Sequence, residues 1–462
     1  MNYREVIDEF GADYTDQVAF EEIEKNKEII EYKYGQFYHD IKTVASWYKL
    51  NGYEDKHIAI MAPNSYKWMV YAYAISYAGA VAVYLHNDLS DEEAKNKLER
   101  ADVDLLVTDR KMDISIVCVD INDEITQCDI CSDFKKIDED ELALLLFTSG
   151  TTGVDKIVML SHKNMSSLMG AKKLYHLDGT LYYLGMFPFS TTAVLANLLY
   201  LALGGVICIQ TKPKYFFRDL LLFNPTRLSA VPMYLEAILR KIHSGMPIRE
   251  IVGDRCTNVG GGGALISADL VNSLCKDGVE SFSGYGQTES GGTGTTYISK
   301  YMPVNGSVGK PSPGVNMKIV DGEICIQSEG VMIGYYKDPE ATAEVLKDGW
   351  LYTGDLGYTD EDGYVYITGR KKNLIILSNG KNISPEELEN KLMKCPVINE
   401  VVIKGENTLL RADIYANEED RPVIDEFIKE YNRSAESYKR IQKVVYTDKP
   451  FEKTLSGKIK RY

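Results

Sequence analysis

Hydrophobic and polar positions alternate between helical and strand-like periodicities over the first 140 residues. Residues 34–50 place Phe37, Ile41, Val44, Ala45 and Tyr48 at helical spacing, which predicts an amphipathic helix. A short apolar run at 57–61 predicts a buried strand. Further strands are predicted at 79–84 and 104–108, and helices at 68–77 and 91–101. Strand, helix and strand in succession are typical of a parallel α/β sheet.

The same alternation continues to about residue 300 and then changes. Strands are predicted at 142–146, 157–160, 204–209 and 227–231, with a helix at 233–242. Short strands and turns follow, including an Asp321-Gly322 pair that predicts a hairpin and a small β subdomain. Beyond Arg370 comes a compact α+β unit with a helix beginning at Ser384-Pro385. The predicted domains are 1–368, of the α/β class with the β subdomain, and 369–462.

Composition limits the classes of function. The chain has 462 residues, of which 45% are hydrophobic and 26% charged, as expected of a soluble globular protein with two or more domains. Its net charge of −15 argues against nucleic acid as the main partner. No apolar run reaches membrane-spanning length, and the first residues lack a signal-peptide pattern. The eight cysteines are scattered, so a reduced, cytoplasmic setting is expected; the oligomeric state is not predicted.

A loop rich in glycine and hydroxyl residues joins two of the predicted strands. It contains Thr148, Ser149, Gly150, Thr151, Thr152, Gly153 and Lys156. Glycine lets the backbone approach a ligand, hydroxyl and N–H groups form an anion site, and lysine adds a mobile positive charge. The pattern predicts a triphosphate-binding loop, although it lacks the Gly-Lys-Ser/Thr end of a Walker sequence. An ordinary turn is the alternative.

Five further segments carry distinctive residue patterns after this loop. They are Gly262-Gly263-Ala264, Tyr285-Gly286-Gln287-Thr288-Glu289, Tyr352-Thr353-Gly354-Asp355-Leu356, Gly369-Arg370-Lys371-Lys372 and Thr454-Leu455-Ser456-Gly457-Lys458. In this order, the six segments resemble the motifs of the adenylate-forming superfamily of acyl-CoA synthetases, peptide-synthetase adenylation domains and luciferases. One such motif is weak evidence, but six in order from 148 to 458 are very unlikely by chance.

The resemblance implies a role for each motif. Residues of the loop would hold the β- and γ-phosphates of ATP, and Gly262, Gly263 and Ala264 would form the adenine-side turn. The remaining nucleotide-binding roles fall on Tyr285 and Gly286 (adenine), Thr288 (α-phosphate), Glu289 (Mg²⁺), Asp355 (ribose hydroxyls) and Arg370 (ribose or phosphate). Lys458 would be the catalytic lysine, carried by a mobile C-terminal domain, and would stabilise negative charge between carboxylate and α-phosphate. Lys372 would be the hinge, and Gly380 would face the tunnel for the pantetheine thiol.

Two positions depart from the family pattern. Asp155 precedes the loop lysine where relatives usually have proline, and we expect its carboxylate to point to solvent and to weaken ATP binding. Thr191 stands where many relatives carry an aromatic residue or histidine at the pocket entrance, beside Phe189 and Thr192. No acidic residue lies between Pro188 and Gly204. Because a buried ammonium without a partner is costly, amino acids are less favoured as substrates.

The leading interpretation is an ATP- and Mg²⁺-dependent ligase that joins a fatty or other hydrophobic acid to CoA, closest to the fatty acyl-CoA synthetase branch. A second interpretation transfers the acyl group to the phosphopantetheine of a carrier protein. It relies on nine basic residues against three acidic residues from 432 onward, which could form a basic docking face. A third is a nucleotide-binding protein that has lost catalysis, and the intact Lys458, Glu289 and Asp355 argue against it.

Overall fold

The computed structural model describes residues 2–24, 27–125, 128–148, 155–174, 180–210, 212–262, 268–299, 306–376, 381–406, 409–453, 459 and 461. The chain divides into two compact units. Unit 1 comprises residues 1–317 and 326–351, and unit 2 comprises residues 318–325 and 352–462. The domain boundary after residue 368 stays a prediction.

The helices among the described residues are α1 (Tyr3–Asp13), α2 (Tyr34–Leu50), α3 (Tyr66–Ala78), α4 (Asp91–Arg100), α5 (His162–Ser166), α6 (Ala193–Leu201), α7 (Phe216–Phe223), α8 (Pro232–His243), α9 (Ile248–Val252), α10 (Ala268–Lys276), α11 (Pro339–Val345), α12 (Pro385–Leu392) and α13 (Arg421–Ser434). None of these helices combines the length and apolar character needed to span a bilayer.

The strands of the first half are β1 (Val18–Ile23), β2 (Ile29–Lys33), β3 (His57–Met61), β4 (Val81–Tyr84), β5 (Leu105–Thr108), β6 (Val117–Asp120), β7 (Leu142–Thr148), β8 (Lys156–Ser161), β9 (Tyr182–Gly185), β10 (Val206–Ile209), β11 (Arg227–Ser229), β12 (Asn258–Gly262) and β13 (Glu280–Gly286). Those of the second half are β14 (Gly294–Ser299), β15 (Lys310–Pro311), β16 (Asn316–Val320), β17 (Glu323–Gln327), β18 (Gly334–Tyr335), β19 (Leu346–Lys347), β20 (Trp350–Thr359), β21 (Val365–Arg370), β22 (Ile375–Ile376), β23 (Asn382–Ile383), β24 (Glu400–Glu406), β25 (Leu409–Tyr415) and β26 (Ile441–Thr447).

Two large sheets organise unit 1. One has the strand order β18-β8-β7-β4-β3-β5-β6, and the other has the order β15-β14-β13-β12-β11-β9-β10-β1-β2. Neighbouring strands in the centre of each sheet run parallel, as in β4–β3–β5 and β11–β12–β13. These parallel sheets with their intervening helices confirm the predicted α/β class.

Three apolar clusters hold the helices of unit 1 against these sheets. Helices α1, α2, α3 and α6 pack into one cluster with residues of both sheets. Helices α7, α8, α9 and α10 form a second cluster with the nine-stranded sheet, and α4 forms a third with the seven-stranded sheet. Nearly every residue of α3 is buried, as its continuous apolar sequence predicts.

The small β subdomain and the C-terminal α+β unit also follow their local sequence. A five-stranded sheet contains β16-β17-β20-β19 in order, with β21 beside β20. Its first hairpin turns at Asp321 (φ 50°) and Gly322 (φ 80°), the positive values that the predicted turn requires. The sheet β24-β25-β26 packs with α12 and α13, and Ser384 caps α12 by accepting a hydrogen bond from the Glu387 N–H.

One buried histidine makes the stability of unit 1 depend on pH. His162 begins α5, is 1% exposed, and its Nδ1 atom is buried without a hydrogen-bond partner among the described residues. Burial lowers the pKa of His162 to about 4, against an ordinary value near 6.5. The unfolded chain therefore binds a proton that the folded chain does not bind, and stability falls as pH falls from about 6.5 to about 4.

We expect this histidine to remove about 3 kcal/mol of stability at the acid end of that window. Thermal unfolding between pH 7.5 and 5 measures the effect. Most of the loss of stability should already appear by pH 5. In a His162→Asn variant, the midpoint temperature of the first unfolding transition should fall less steeply as the pH is lowered. Equal slopes for the two proteins would contradict the prediction.

Candidate functional site

The predicted phosphate loop connects two antiparallel strands of the seven-stranded sheet. Thr148 ends β7 and Lys156 begins β8, and the two residues are direct partners in the ladder. The Thr148 hydroxyl lies 3.4 Å from the Lys156 carbonyl oxygen, to which it donates. The two described ends of the loop are thus held together by the sheet itself. Several predicted residues lie outside the described residues, namely Ser149, Gly150, Thr151, Thr152, Gly153, Gly263, Ala264, Gly380 and Lys458.

A buried tyrosine connects the loop lysine to the predicted metal ligand. The Lys156 ammonium lies 4.5 Å from the centre of the Tyr335 ring. The hydroxyl of Tyr335, which is 6% exposed, donates a 3.0 Å hydrogen bond to Glu289 Oε1. Tyr335 belongs to β18, which pairs with β8 beside Lys156. One ring therefore holds a cation on its face and a carboxylate at its hydroxyl, although residues 156, 289 and 335 are far apart in sequence.

Glu289 lies in a single helical turn, Thr288–Ser290, directly after β13. Gln287 caps this turn, and its N–H donates to the Ser290 hydroxyl at 3.0 Å. The Glu289 carbonyl oxygen accepts from the Met332 N–H at 2.9 Å. Backbone hydrogen bonds on both sides fix the turn that carries Thr288 and Glu289, two residues with predicted roles.

The glycine-rich strands β12 and β13 lie side by side within the nine-stranded sheet. A Cβ atom added to Gly286 would lie 2.5 Å from the Gly292 carbonyl oxygen, so packing excludes a side chain there. Among the described residues, a Cβ atom at Gly262 would meet only Gly284 O, at 3.5 Å, an ordinary contact. Packing therefore leaves room at Gly262, the position where the resemblance places adenine. Tyr285 is half-buried in β13, opposite Thr295 in β14.

In unit 2, Asp355 and Arg370 lie opposite each other in the β20–β21 ladder. Arg370 Nε is 2.6 Å from Asp355 Oδ1, and the side chains are 37% and 6% exposed. The Asp355 N–H donates to the Thr353 hydroxyl at 3.1 Å. The structure thus brings together the two residues that the resemblance assigns to the ribose, with the carboxylate buried and its cation partly open to water.

Glu323 is a supporting residue that the sequence did not reveal. Its buried carboxylate accepts the Gly354 N–H at 2.8 Å and pairs with Lys371 Nζ at 2.8 Å. This pairing raises the pKa of Lys371, through the hydrogen bond first and then the charge of Glu323. One carboxylate therefore supports both the turn before Asp355 and the residue after Arg370. The only signal in the sequence was an acidic residue in the apolar strand β17.

The predicted hinge residue Lys372 is exposed in a helical turn, Lys371–Asn373, that follows β21. Asn373 in this turn donates to Glu386 Oε1 of α12 at 2.5 Å. After the segment 454–458, which contains the predicted catalytic lysine, Arg461 forms two hydrogen bonds with Glu389 of α12, of 2.8 and 2.5 Å. On the other side of that segment, Lys453 pairs with Glu400 at 2.6 Å. The residues on both sides of 454–458 are therefore anchored within unit 2.

The three residues predicted for the substrate pocket lie before and at the start of α6. Phe189 is buried in the core against Trp68, with ring centres 5.3 Å apart. The Thr191 hydroxyl donates to Pro188 O at 2.9 Å, and Thr192 precedes the first residue of α6. Most of α6 is buried, which agrees with a core helix more than with an alkyl pocket. A role for these residues in the pocket stays a prediction.

The expectation that Asp155 points to solvent is wrong. Its carboxylate forms an ion pair with Lys97 of α4, and its carbonyl oxygen accepts a hydrogen bond from Arg100. The sequence could not reveal these contacts, because α4 lies more than fifty residues earlier in the chain. The Asp155 carboxylate, which was expected to be unfavourable beside a phosphate site, is therefore paired with the Lys97 ammonium.

Four of the nine basic residues near the C-terminus pair with acidic residues of unit 2. Lys439 pairs with Glu387 at 3.1 Å, and Lys443 pairs with Glu406 at 2.9 Å. Lys453 and Arg461 have the acidic partners described above. These acidic residues lie before position 432 and were therefore missing from the local count of charges. These pairings neutralise part of the basic docking face predicted for a carrier protein.

Among the described residues, no group of three or more His, Cys, Asp or Glu side chains is arranged to hold a metal ion. A divalent cation at Glu289 would therefore take its other ligands from substrate phosphates and water. This is the usual mode for Mg²⁺.

The cysteines are free thiols, and burial raises the pKa of Cys128 and of Cys256, the latter to about 12.

Comparison with known protein families gives two adjacent matches that cover most of the chain. The family described as AMP-binding enzyme matches residues 7–336. The family described as AMP-binding enzyme C-terminal domain matches residues 372–462.

Individual relatives agree with these family matches. A 2-succinylbenzoate–CoA ligase of Bacillus mycoides (strain KBAB4) is 31% identical over 366 residues, which cover 75% of each chain. The solved structure of O-succinylbenzoate coenzyme A synthetase from Bacillus subtilis, in complex with ATP and magnesium ion, has a TM-score of 0.82 at 22% identity, over 99% of this chain and 98% of that one. A Mycobacterium tuberculosis fatty acyl CoA synthetase has a TM-score of 0.74 at 21% identity, over 99% and 96% of the two chains. The two structural matches establish the fold.

Proposed function

Because this chain belongs to the AMP-binding enzyme family, we propose that it joins a carboxylic acid to CoA at the expense of ATP, with release of AMP and pyrophosphate. The resemblance to the adenylate-forming superfamily and the assignment to its AMP-forming CoA ligases are confirmed. The acid, its chain length and the role of each site residue are part of the proposal.

One observation carries the proposal, the chain of contacts from Lys156 through Tyr335 to Glu289. Attack of a carboxylate on the α-phosphorus of ATP brings two anions together, so the site must neutralise charge on both the attacking and the leaving groups. Lys156 supplies a cation for the leaving pyrophosphate. Glu289 supplies a carboxylate for the Mg²⁺ that accompanies ATP.

The side chains around Glu289 fit a magnesium ion. A carboxylate has about four lone-pair sites, so the one hydrogen bond from Tyr335 leaves capacity for a hard cation. The Tyr335 hydroxyl also fixes the orientation of the carboxylate, as outer partners of metal ligands generally do. When bound, Mg²⁺ would offset the charge of the phosphates.

The resemblance supplies the other proposed roles. In unit 1, Tyr285 offers a ring to adenine, beside the open backbone at Gly262, and Thr288 offers a hydroxyl to the α-phosphate. In unit 2, Asp355 accepts hydrogen bonds from the ribose hydroxyls, and Arg370 pairs with the same carboxylate at 2.6 Å. Lys458 acts on the attacking carboxylate and the α-phosphate. Lys372 and Gly380 serve the hinge and the thiol tunnel.

We propose a fatty or other hydrophobic acid as the substrate. The absence of an acidic residue between Pro188 and Gly204 removes the expected partner of a substrate ammonium. The relatives named above act, by their names, on 2-succinylbenzoate and on fatty acids, neither of which carries an ammonium group. Free CoA is the preferred acceptor, because four of the nine basic residues expected to receive an acidic carrier pair with acidic residues of unit 2.

A panel of acids tests the first half-reaction without any assumption about the acceptor. The purified protein is mixed with ATP, Mg²⁺ and hydroxylamine, and each acid is scored by hydroxamate and pyrophosphate formation. Saturated fatty acids, aryl acids including 2-succinylbenzoate, and α-amino acids form the three arms.

We expect product in at least one of the two hydrophobic arms and at least tenfold less with amino acids. Tight ATP binding without hydroxamate in any arm would overturn the proposal and favour a nucleotide-binding protein without catalysis. Highest activity with amino acids would contradict the proposed substrate class.

A further inference from the structure

Helix α4 lies against the strands that carry the two ends of the phosphate loop. Its Ala94 and Leu98 are buried in one apolar cluster with Ile157 of β8, and Phe147 of β7 packs against that cluster. Lys97 and Arg100 lie in the last turn, at the i, i+3 spacing that puts side chains on one side of a helix. The apolar contacts therefore hold both cations beside the loop.

Both cations bind Asp155, the residue directly before Lys156. Lys97 Nζ forms an ion pair with the Asp155 carboxylate, and the Arg100 guanidinium donates to the Asp155 carbonyl oxygen. The Lys97 and Asp155 side chains are 13% and 30% exposed, so water screens this pair less than it screens a surface ion pair.

The same two cations also contact the opposite strand of the hairpin. Lys97 Nζ lies 4.3 Å and Arg100 Cζ lies 5.7 Å from the centre of the Phe147 ring. Phe147 pairs with Ile157 in the ladder, next to the pair formed by Thr148 and Lys156. One end of α4 thus contacts Phe147, in the strand that leads into the loop, and Asp155, directly before the loop lysine.

Asp155 and Lys156 have different partners, although they are adjacent in the chain. Asp155 is bound to α4, whereas the Lys156 ammonium lies over Tyr335. A carboxylate next to a lysine that binds phosphate would repel the nucleotide and compete for the ammonium, unless another cation holds it. Lys97 provides that cation, and Arg100 fixes the backbone from which Lys156 extends.

We propose that Lys97 and Arg100 are positioning residues for ATP, which act by neutralising and anchoring Asp155 so that Lys156 is held for the phosphates. The proposal depends on the proposed function, since Lys156 must bind ATP for its placement to matter. It assigns to α4 a part in nucleotide affinity that none of the recognised motifs contains. Lys97 and Arg100 also lie at the C-terminus of α4, where positive charge stabilises a helix through its dipole. The test must therefore separate a role in ATP binding from a role in helix stability.

Lys95 provides a matched control on the same helix. Lys97→Met and Lys95→Met each remove one positive charge from α4, and of these two lysines Lys97 is the one that forms an ion pair with Asp155. The KM for ATP, the KM for the acid and kcat are measured by pyrophosphate exchange with the best acid of the panel. Thermal midpoints show whether each variant is folded.

We expect Lys97→Met to raise the KM for ATP about tenfold, with kcat and the KM for the acid changed less than about threefold. Lys95→Met should leave all three constants within twofold of the parent. Asp155→Asn in the Lys97→Met background should restore most of the ATP affinity, because the unpaired carboxylate is gone. Lys97→Arg, which keeps the charge, should remain close to the parent protein.

Equal effects of Lys97→Met and Lys95→Met, or no rescue by Asp155→Asn, would overturn the proposal and assign Lys97 to helix stability alone. If Lys97→Met does not fold, Lys97→Gln carries the same expectation, and Arg100→Gln tests the backbone anchor. Failure of the proposed function is a separate result, since the parent protein would then release no pyrophosphate with any acid.

Discussion

Lys458→Ala is expected to lower the rate of acyl-adenylate formation by about 100- to 1,000-fold, the usual cost of removing one charge-stabilising group from a transition state. The same variant should form thioester from supplied acyl adenylate and CoA within about threefold of the parent rate, because no anionic attack on the α-phosphate remains in that step. Two single-turnover assays measure these rates separately.

Lys460→Ala is a suitable control for Lys458→Ala, because it removes the same charge two residues further along the chain. It should keep both half-reactions within about twofold. An equal loss of both half-reactions in Lys458→Ala would contradict the assigned role and indicate a general defect of the C-terminal region.

Glu289→Gln is expected to have the second largest effect. The substitution keeps the size of the side chain and an acceptor for the Tyr335 hydroxyl, but it removes the charge that attracts a hard cation. We expect adenylation at 1 mM Mg²⁺, on the order of cellular availability, to fall about 100-fold. The half-saturating Mg²⁺ concentration should rise at least about tenfold.

Tyr335→Phe separates metal binding from packing at the same site. This variant keeps the ring under Lys156 and removes the hydroxyl that donates to Glu289. Its adenylation rate should fall about three- to tenfold, since a net hydrogen bond to a charged group is worth roughly 1.5 to 3 kcal/mol and water replaces part of it. If Glu289→Gln kept the Mg²⁺ dependence of the parent, Glu289 would not be the metal ligand.

Local signals in the sequence predicted most of the elements that surround the site. The Asp321-Gly322 turn and the Ser384 cap were predicted because their residues determine backbone geometry over a few positions. The β7 and β8 strands were predicted for the same reason, since apolar runs flank a loop of small residues. These features depend on short-range chemistry.

The residues that support the site could not be predicted in this way. Tyr335 binds a carboxylate 46 positions away, and Lys97 binds one 58 positions away. Glu323 supports the Gly354 turn from 31 positions away. Such contacts depend on how sheets and helices pack, and no local pattern of residue types encodes them. The expectation that Asp155 faces solvent was wrong because its partner lies on α4.

A complete reaction shows whether this protein makes a thioester from a carboxylic acid and CoA through an acyl adenylate. The best acid of the panel is incubated with ATP, Mg²⁺ and free CoA, and AMP, ADP, pyrophosphate and acyl-CoA are quantified together. We expect AMP, pyrophosphate and acyl-CoA in equal amounts, with no ADP. Formation of ADP and phosphate, or AMP release without acyl-CoA, would contradict the proposed function.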